Sequence, residues 1–419
     1  MLRPGWFPEY SPQEQEKFDM ITDSLRQHFE RWNYHHIYTP AVESLDILSR
    51  GGDVFDKQVY WLYGLAQWVE DVKDFGLHFD LTIPFARYVL DHLNDLTFPF
   101  KRYQMQPVWR GERTKRGRYK EFWQFDIDSI RRSDQNVGMW YDAESIIVIY
   151  QALQSIFTLF GITNRLSVKI SNIALINHIA QFWWLNEWDQ KQLFKILDDR
   201  YKRSDEDNNK LLSALLTAEQ HTMLVRHITS QSLDGLEEYE WYQDLLQVIQ
   251  DCQQFGINVE FALPIVRWHW YYTGTVVEIF VDEDMSLWAI AGGWRYEKLT
   301  DFISSKQSFS GVGCSISSRI MELILDQKAQ LLSIKESYMI INFEETRSES
   351  LKLLTQLHEE WKSVEFYPVP IKLSKQFDYA NKQGITHCVM LGKGELEHNN
   401  YMIKDLATWE QTTYSLLSK

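Results

Sequence analysis

Arginine side chains near residue 110 offer the clearest chemistry in this chain. Val108–Arg113 is followed, across a short basic loop, by Gly117–Phe122, and strand-like stretches flank that loop as in a hairpin. A guanidinium held on a strand can clamp phosphate oxygens with two parallel hydrogen bonds. From these residues alone, phosphate binding at Arg110 and a solvated charged hairpin both remain open.

Hydrophobic spacing indicates the helices and strands that must hold this hairpin. Apolar residues recur at three- and four-residue intervals over 14–32, which predicts an amphipathic helix. Residues 76–130 have a strand-like pattern, with a helix beginning near Pro84. Further predicted elements are a helix over 142–160, strands at Thr275–Val281 and Leu287–Ala291, and a helix at Ser318–Leu331.

The pattern predicts two domains, covering residues 1–332 and 333–419. Residues 172–262 are polar and mainly helical in pattern, which indicates a helical insertion within the first domain. From Tyr338 onward, strands alternate with helices in the order β-α-β-α-β, which predicts a parallel sheet in the second domain.

Composition narrows the class of protein. The chain is 44% hydrophobic and 24% charged, as in soluble globular proteins, and no apolar run approaches a membrane span. Three cysteines lie far apart without metal-type spacing and suit a reducing cytoplasm. A net charge of −15 argues against a general nucleic-acid coat. However, Lys101–Lys120 contains eight Lys or Arg residues and one acid, which predicts a local basic face.

The hairpin and several other segments resemble class II aminoacyl-tRNA synthetases of the histidyl type. Arg110–Glu112 with Gly117–Phe122 is similar to motif 2 of that class. The resemblance implies an α+β catalytic domain with an antiparallel sheet, a helical insertion and a C-terminal α/β anticodon-binding domain. The other segments that carry it are His78–Tyr88, Ile265–Arg267 with Tyr271–Val276, Gly292–Tyr296 as a glycine-rich turn, and Ile37–Glu43 as motif 1.

The resemblance implies an ATP site built from arginines. Arg110 and Arg267 would lie on opposite sides of the α-phosphate and stabilise the charge that develops as the adenylate forms. Glu112 would lie near the adenine, and Arg118 near the outer phosphates. Arg319 would be the motif 3 arginine, although serines stand before it where the family has Gly and usually Glu.

The resemblance also implies a pocket for histidine. One group of side chains would meet the α-ammonium group and backbone of the substrate, and a second would enclose its imidazole ring. The first group is Asp80, Thr82 and Gln124, and the second is Asp128, Tyr272 and Tyr296. Taken singly, the aspartates could be cap or turn residues and the tyrosines core residues.

The implied ligands and partners are ATP with Mg²⁺, histidine, and the tRNA that accepts histidine. Lys115 and Arg116 in the hairpin loop, with Lys375 and Gln376 in the second domain, are candidate tRNA contacts. The strand region around Pro40 would form a homodimer. The alternatives are a non-catalytic synthetase-like regulator and an RNA-binding sensor that keeps the fold.

Tryptophan and glycine usage departs from the average. Roughly 29 glycines are expected in a chain of this length, and the chain has 19, together with 17 tryptophans. Several tryptophans stand where the resembling family has glycine. They are Trp268, Trp294 and Trp409, and further candidates are Trp6, Trp68, Trp270 and Trp288. Two explanations remain open: an inactive paralogue, or UGA codons that the cell reads as glycine.

Overall fold

A computed structural model describes residues 5–416 of this chain with several gaps. The gaps are 50–58, 63–74, 112–113, 115–118, 136–137, 201–202, 231–239, 267–272, 283–288, 298–299, 302, 304–306, 327–335 and 361. The chain divides into two compact units, Met1–Gln330 and Leu331–Lys419. The domain boundary predicted at 332/333 falls within the gap at 327–335. Within the described residues, no helix is both long and apolar enough to cross a membrane.

An eight-stranded sheet forms the centre of the first unit. The strands of this unit are β1 (His35–His36), β2 (Val42–Ser44), β3 (Tyr60–Trp61), β4 (Phe75–Leu77), β5 (Phe100–Trp109), β6 (Glu121–Arg132), β7 (Leu166–Asn172), β8 (Val259–Phe261), β9 (Thr275–Val281), β10 (Ala291–Tyr296) and β11 (Phe309–Ser317). The large sheet has the order β1-β5-β6-β11-β10-β9-β7-β8, and its central pairs are antiparallel. Strands β2, β4 and β3 form a separate small sheet.

Helices of the first unit surround this sheet. They are α1 (Pro12–Arg31), α2 (Leu45–Ser49), α3 (Thr82–Asp91), α4 (Trp140–Leu159), α5 (Ile173–Phe182), α6 (Glu187–Asp198), α7 (Asp205–Leu215), α8 (Ala218–Ser230), α9 (Glu240–Gln254) and α10 (Arg319–Asp326). Ser11 and Glu14 form a capping box at the start of α1, which buries the apolar face predicted from its spacing. Helices α5 to α9 lie between β7 and β8, so the described part of the predicted insertion is helical.

The second unit has a mixed sheet of five strands. Its elements are β12 (Ser337–Ile340), α11 (Arg347–Glu359), β13 (Ser363–Phe366), α12 (Leu373–Gln383), β14 (His387–Met390), α13 (Lys393–Glu397), β15 (Asn400–Asp405) and β16 (Gln411–Ser415). Strands β13, β12 and β14 are parallel, as predicted. The sequence pattern missed the antiparallel hairpin β15–β16, which adds to the β14 edge.

The segment Gly292–Tyr296 is a strand, and the prediction of a glycine-rich turn there was wrong. It forms the central part of β10, paired with β9 on one side and β11 on the other. A Cβ on Gly293 would collide with Cys314 Sγ and with the carbonyl oxygen of Gly313. The glycine is therefore needed for close strand packing, a role that glycine can have inside a strand as well as in a turn.

Candidate functional site

A row of polar side chains crosses the buried face of the central sheet. Alternate residues of a strand share one face, and residues in register on neighbouring strands lie side by side. The β6 residues Gln124, Asp126 and Asp128 are in register with Gln106, Gln104 and Arg102 of β5, and with Ser317, Ser315 and Gly313 of β11. The three β6 residues and their three β5 partners are all buried. Because a buried polar group needs partners, such a row indicates a site and not a solvated face.

Asp128 lies at the centre of this row. Tyr296 Oη donates a hydrogen bond to Asp128 Oδ1 at 2.5 Å, and Arg102 Nη2 lies 2.6 Å from Asp128 Oδ2. Arg102 is fully buried, with its guanidinium over the ring of Phe85. Burial raises the pKa of Asp128 to about 7, and neighbouring Asp126 adds to the rise while Arg102 opposes it. The carboxylate is therefore held in a place where its charge is only partly compensated.

Two further carboxylates share the same region. Burial raises the pKa of Asp80 to about 6, and the charge of Asp126 adds to this. Burial likewise raises the pKa of Asp126, whose nearest cation is Arg102. Asp80 Oδ1 also accepts a hydrogen bond from Ile83 N at 3.1 Å at the start of α3, so it has a capping contact as well. Three buried acids therefore depend mainly on Arg102 and Arg110 for positive charge.

Glycines of β11 make room for this cluster. A Cβ on Gly313 would overlap Asp128 Oδ1, and a Cβ on Gly311 would come within 2.7 Å of Tyr296 Cε2. A side chain at either position would displace the groups at the centre of the row. The small residues on this face of β11 therefore help to leave space for a ligand.

A cavity opens between these strands and the start of α3. Its lining residues are Thr82, Asp126, Asp128, Trp294, Gly313, Cys314 and Ser315. The space between them, part of which is open to solvent, is about 210 Å³. Trp294 stands directly across from Gly313 in the register of β10 and β11, and its indole narrows the cavity.

Of the six side chains predicted to hold histidine, Thr82 and Asp128 line this cavity, and three more lie beside its lining residues. Asp80, Thr82, Asp128 and Tyr296 have the positions given above. Gln124 Nε2 lies 3.4 Å from Ser315 Oγ and 3.5 Å from Asp126 Oδ1. The sixth, Tyr272, lies outside the described residues.

Arg110 is anchored beside the same region. Its backbone N–H donates to Lys120 O at 2.9 Å, which closes the base of the hairpin. Its Nε donates to Phe79 O at 2.9 Å, and its guanidinium lies 5.0 Å from the centre of the Phe122 ring. These contacts fix the plane of the guanidinium, the group that would bind a phosphate.

The other predicted ATP-binding residues are only partly described. Arg319 begins α10, and its Nη1 donates to Ala289 O at 3.0 Å. Arg267, Glu112 and Arg118 lie outside the described residues. Lys115 and Arg116, predicted to contact tRNA, lie outside them too.

The two predicted RNA contacts in the second unit differ in position. Lys375 is exposed on α12. Gln376 is buried, accepts a hydrogen bond from Asn342 N, and donates to Asn342 O and Ile371 O. These bonds hold β12 and α12 together, and this argues against the predicted RNA contact at Gln376.

Sequence analysis did not single out Asp126 or Arg102. The signal was present, because Asp126 stands two residues from both Gln124 and Asp128 and therefore shares their face of the strand. Arg102 was counted only as part of a basic surface, yet it is buried in the site. A charge pattern alone does not distinguish a surface arginine from a buried one.

Two family models match the chain. The model described as histidyl-tRNA synthetase matches residues 6–320, and the model described as anticodon binding domain matches residues 332–418.

Curated relatives match over almost the whole length. The histidine–tRNA ligase of Finegoldia magna is 30% identical, over 99% of this chain and 98% of the relative. The histidine–tRNA ligase of Thermobifida fusca is 32% identical, over 98% of this chain and 97% of the relative. Among solved structures, histidyl-tRNA synthetase from a Nostoc species is 28% identical with a TM-score of 0.84, and the match covers 99% of this chain and 96% of that one.

Proposed function

Because the chain belongs to the histidyl-tRNA synthetase family, it is a class II histidine–tRNA ligase, and we propose that the cavity lined by Asp126 and Asp128 binds its histidine. The acid-rich composition of the cavity carries this proposal. Three buried carboxylates face two arginines, so a ligand with an ammonium group would supply positive charge that the site lacks.

The polar groups of the pocket match the chemistry of histidine at both ends of the ligand. Its α-ammonium group would lie near Asp80 and Asp126, where carboxylate oxygens accept charge-assisted hydrogen bonds. Its imidazole would lie against Asp128 and Tyr296, since a ring with one donor and one acceptor matches a carboxylate beside a hydroxyl. Tyr272 would complete the enclosure.

Arg110 would act at the phosphate. A carboxylate oxygen of histidine attacks the α-phosphorus of ATP, the bond to the bridging oxygen breaks, and pyrophosphate leaves with the electron pair. Arg110, with Arg267 opposite, would stabilise the added charge on the α-phosphate oxygens. Glu112 would contact the adenine, and Arg118 and Arg319 the nucleotide.

In the second step, a ribose hydroxyl of the tRNA attacks the histidyl carbonyl carbon. The hydroxyl loses its proton, the bond to the phosphate oxygen breaks, and AMP leaves. Lys115 and Arg116 in the hairpin loop and Lys375 on α12 would contact tRNA phosphates. The second unit would read the anticodon.

Mg²⁺ would enter with ATP. Within the described ranges, no cluster of three or more His, Cys, Asp or Glu side chains could hold a metal ion. We expect the phosphates to hold most of the coordination of Mg²⁺, with one or two carboxylates, as is common beside a nucleotide. The ion would neutralise charge on the departing pyrophosphate.

A second copy of the chain would cover the surface near Pro40. Tyr38, Val42 and Phe75 are exposed by 68%, 46% and 51%, around the small sheet of β2 and β4. Apolar side chains gathered on one surface mark an interaction site. Sedimentation should show a homodimer for the parent chain. The double variant Tyr38→Asp with Val42→Asp should sediment as a monomer.

The cytoplasm would be the place of this reaction. Cys252, Cys314 and Cys388 are all free thiols and buried, as expected of a protein kept in a reducing compartment.

Exchange between ATP and pyrophosphate tests the proposed substrate. Measured with each of the twenty amino acids in turn, the exchange should occur with histidine and with no other. Asp128→Asn should weaken it, while Asp378→Asn, a carboxylate on the exposed side of α12, should leave it unchanged. Equal exchange with a second amino acid would contradict the proposal that this pocket is specific for histidine.

A further inference from the structure

Several helices of this chain end with the same hydrogen-bond pattern. After α1, α4, α5, α9 and α12, one residue donates its N–H to the carbonyl three residues back, and the next residue donates five residues back. The first of these residues has a left-handed backbone in each case. In order, these residues are Asn33, Gly161, Trp184, Gly256 and Gly384. This is the Schellman motif, in which the left-handed position is usually glycine and sometimes asparagine.

Trp184 does not fit this series. Its φ is +54°, and its N–H donates to Gln181 O at 3.0 Å while Leu185 N donates to Ala180 O at 3.0 Å. A Cβ is disfavoured in this conformation because it approaches the following carbonyl oxygen. The indole is 92% exposed, so buried contacts do not offset this strain.

Trp409 and Trp6 also have a left-handed backbone, and both lie in turns. Trp409 has a φ of +65° in the connection between β15 and β16, where its N–H donates to Asp405 O at 3.0 Å. A left-handed residue after such a turn is ordinarily glycine. Trp6 has a φ of +70°, and its carbonyl accepts from Lys120 N at 2.9 Å. In the described part of the chain, non-glycine residues with positive φ are these three tryptophans and two asparagines.

Trp294 is anomalous for a different reason. The neighbouring strand presents Gly311 and Gly313 to the same side, where any side chain would displace Tyr296 or Asp128. Trp294 pairs directly with Gly313, so the largest side chain stands across from a position that must have none. Its indole enters the cavity that the glycines leave.

Other tryptophans are well fitted to their surroundings. Trp109 Nε1 donates to Glu121 at 2.7 Å, and Trp140 Nε1 donates to Glu144 at 2.8 Å. The ring of Trp123 packs edge-on against Phe18 at 5.2 Å. The rings of Trp6 and Trp409 also have neighbours, Tyr119 and Lys404, so ring contacts do not separate the two groups. The difference lies in the backbone: Trp6, Trp184 and Trp409 have a positive φ, whereas Trp109, Trp123 and Trp140 lie in regular strands or a helix.

We propose that Trp6, Trp184, Trp294 and Trp409 are encoded by UGA, that the cell of origin reads this codon as glycine, and that the native protein has glycine at all four positions. The backbone argument for residues 6, 184 and 409 is independent of the activity. The consequence for residue 294 rests on the proposed function: glycine there opens the histidine pocket, so position 294 determines whether histidine binds.

The gene and the native protein test this proposal directly. UGA is expected at the four positions, and UGG at Trp109, Trp123 and Trp140. Peptide masses of the protein isolated from its own cells should show glycine at the first set and tryptophan at the second. Tryptophan in the native peptides that contain residues 184 and 409 would overturn the proposal.

Backbone strain can be measured separately by a pair of substitutions. The parent for this test is a protein expressed with tryptophan at residues 6, 184, 294 and 409. In that parent, the Trp184→Gly variant should have a ratio of folded to unfolded molecules about fivefold higher than the Trp184→Ala variant, because alanine keeps the Cβ. Trp188 is the matched control, exposed by 65% but inside α6. Trp188 lies in the first turn of that helix with an ordinary helical backbone, so glycine there should lower the same ratio relative to alanine, because glycine has the lower helix propensity. Equal stability of the Trp184→Ala and Trp184→Gly variants would contradict the strain argument.

Histidine binding tests the consequence for the pocket. By calorimetry, Trp294→Gly should bind histidine at least about tenfold more tightly than the chain with Trp294, since the indole occupies ligand space. Equal binding by the two chains would remove position 294 from histidine recognition. If native peptides show glycine at 294 while the Trp294→Gly protein binds no histidine, the recoding stands and the proposed pocket fails.

Discussion

Two buried charge clusters lie on opposite faces of the same strand, and they are built differently. Tyr296 of β10 faces the cavity with Asp128, while Arg295 faces helix α4. Arg295 Nε donates to Asp142 Oδ1 at 3.0 Å, and its Nη2 contacts Asp142 Oδ2 and Gly138 O. Arg131, Glu297 and Asp244 add further charges of both signs around this pair.

The pKa shifts reflect this difference. Burial alone would lower the pKa of Arg295, but Asp142, with Glu297 and Asp244, outweighs burial and the pKa is raised, so the guanidinium keeps its charge. In the cavity, burial and mutual repulsion raise the pKa values of Asp80, Asp126 and Asp128. The Arg295–Asp142 pair therefore serves the fold, because its two charges contact each other directly. The cavity has more acids than cations, so it is suited to bind a cationic ligand.

Removal of Asp142 should have the largest effect on folding. Asp142→Asn leaves Arg295 buried without its counter-charge, so the free energy of unfolding should fall by about 3–5 kcal/mol. Urea titration of the variant and the parent measures this difference. Asp46→Asn, an exposed carboxylate in α2, is the control. A loss below about 1 kcal/mol would mean that the two clusters are not different in kind.

Removal of the Asp128 charge should affect binding more than folding, because Asp80 and Asp126 remain to balance the buried Arg102. Asp128→Asn replaces a charge-assisted hydrogen bond to the ligand with a neutral one, a loss of about 1.5–3 kcal/mol. The KM for histidine in pyrophosphate exchange should therefore rise about 10- to 100-fold. The KM for ATP should change little. A variant with an unchanged KM for histidine would place the imidazole elsewhere.

The pH dependence of histidine binding should follow the same carboxylates. The folded pKa values of Asp80 and Asp128 are about 6 and about 7, raised from the unfolded value of 3.8. Raised acid pKa values stabilise the ligand-free fold at low pH, and this stability is lost as pH rises from about 4 to about 7. A cationic ligand needs the ionised acids, so binding should release protons and weaken up to about tenfold per pH unit below 7.

Calorimetry in two buffers with different ionisation enthalpies measures this release. Histidine has its own imidazole proton to lose, with a pKa near 6.5 in solution. The Asp128→Asn variant isolates one source, because it should keep the protons released by the ligand and by Asp80 and lose those released by Asp128. Equal proton release by variant and parent would assign the whole effect to the ligand and Asp80.

Much of the fold could be predicted from the sequence, and the resemblance supplied the family and the function, which the comparisons confirmed. Helices α1 and α4 and strand β9 follow the predicted ranges closely because their apolar spacing directly reflects burial. The segment around Gly293 was misread because glycine permits both a turn and close strand contact. The hairpin β15–β16 was missed because the parallel pattern before it gave no sign of an antiparallel edge.

The interior of the site was harder to predict. Polar residues at alternate positions of β5 and β6 have the pattern of a solvent-exposed face, and only the sheet shows that they are buried. Gln376 was read as a surface residue because helix α12 is mostly polar. Arg102 could not be distinguished from a surface charge until Phe85 of α3 was known to lie over it. Asp126, by contrast, had a signal in the sequence, because it shares one strand face with Gln124 and Asp128.

Among these variants, the Asp126→Asn substitution should have the smallest effect on stability. It also distinguishes the two clusters most clearly. Asp126→Asn can keep hydrogen bonds with Gln124 and Ser315 while it removes repulsion with Asp80 and Asp128. At pH 8, the free energy of unfolding should stay equal or rise by about 1 kcal/mol, opposite in sign to Asp142→Asn. The same substitution should lower the affinity for histidine, because the site loses one of the charges that would contact the ammonium group. Urea titration and calorimetry on the same sample give both values, and a variant that loses stability as Asp142→Asn does would show that the acids of the cavity also support the fold.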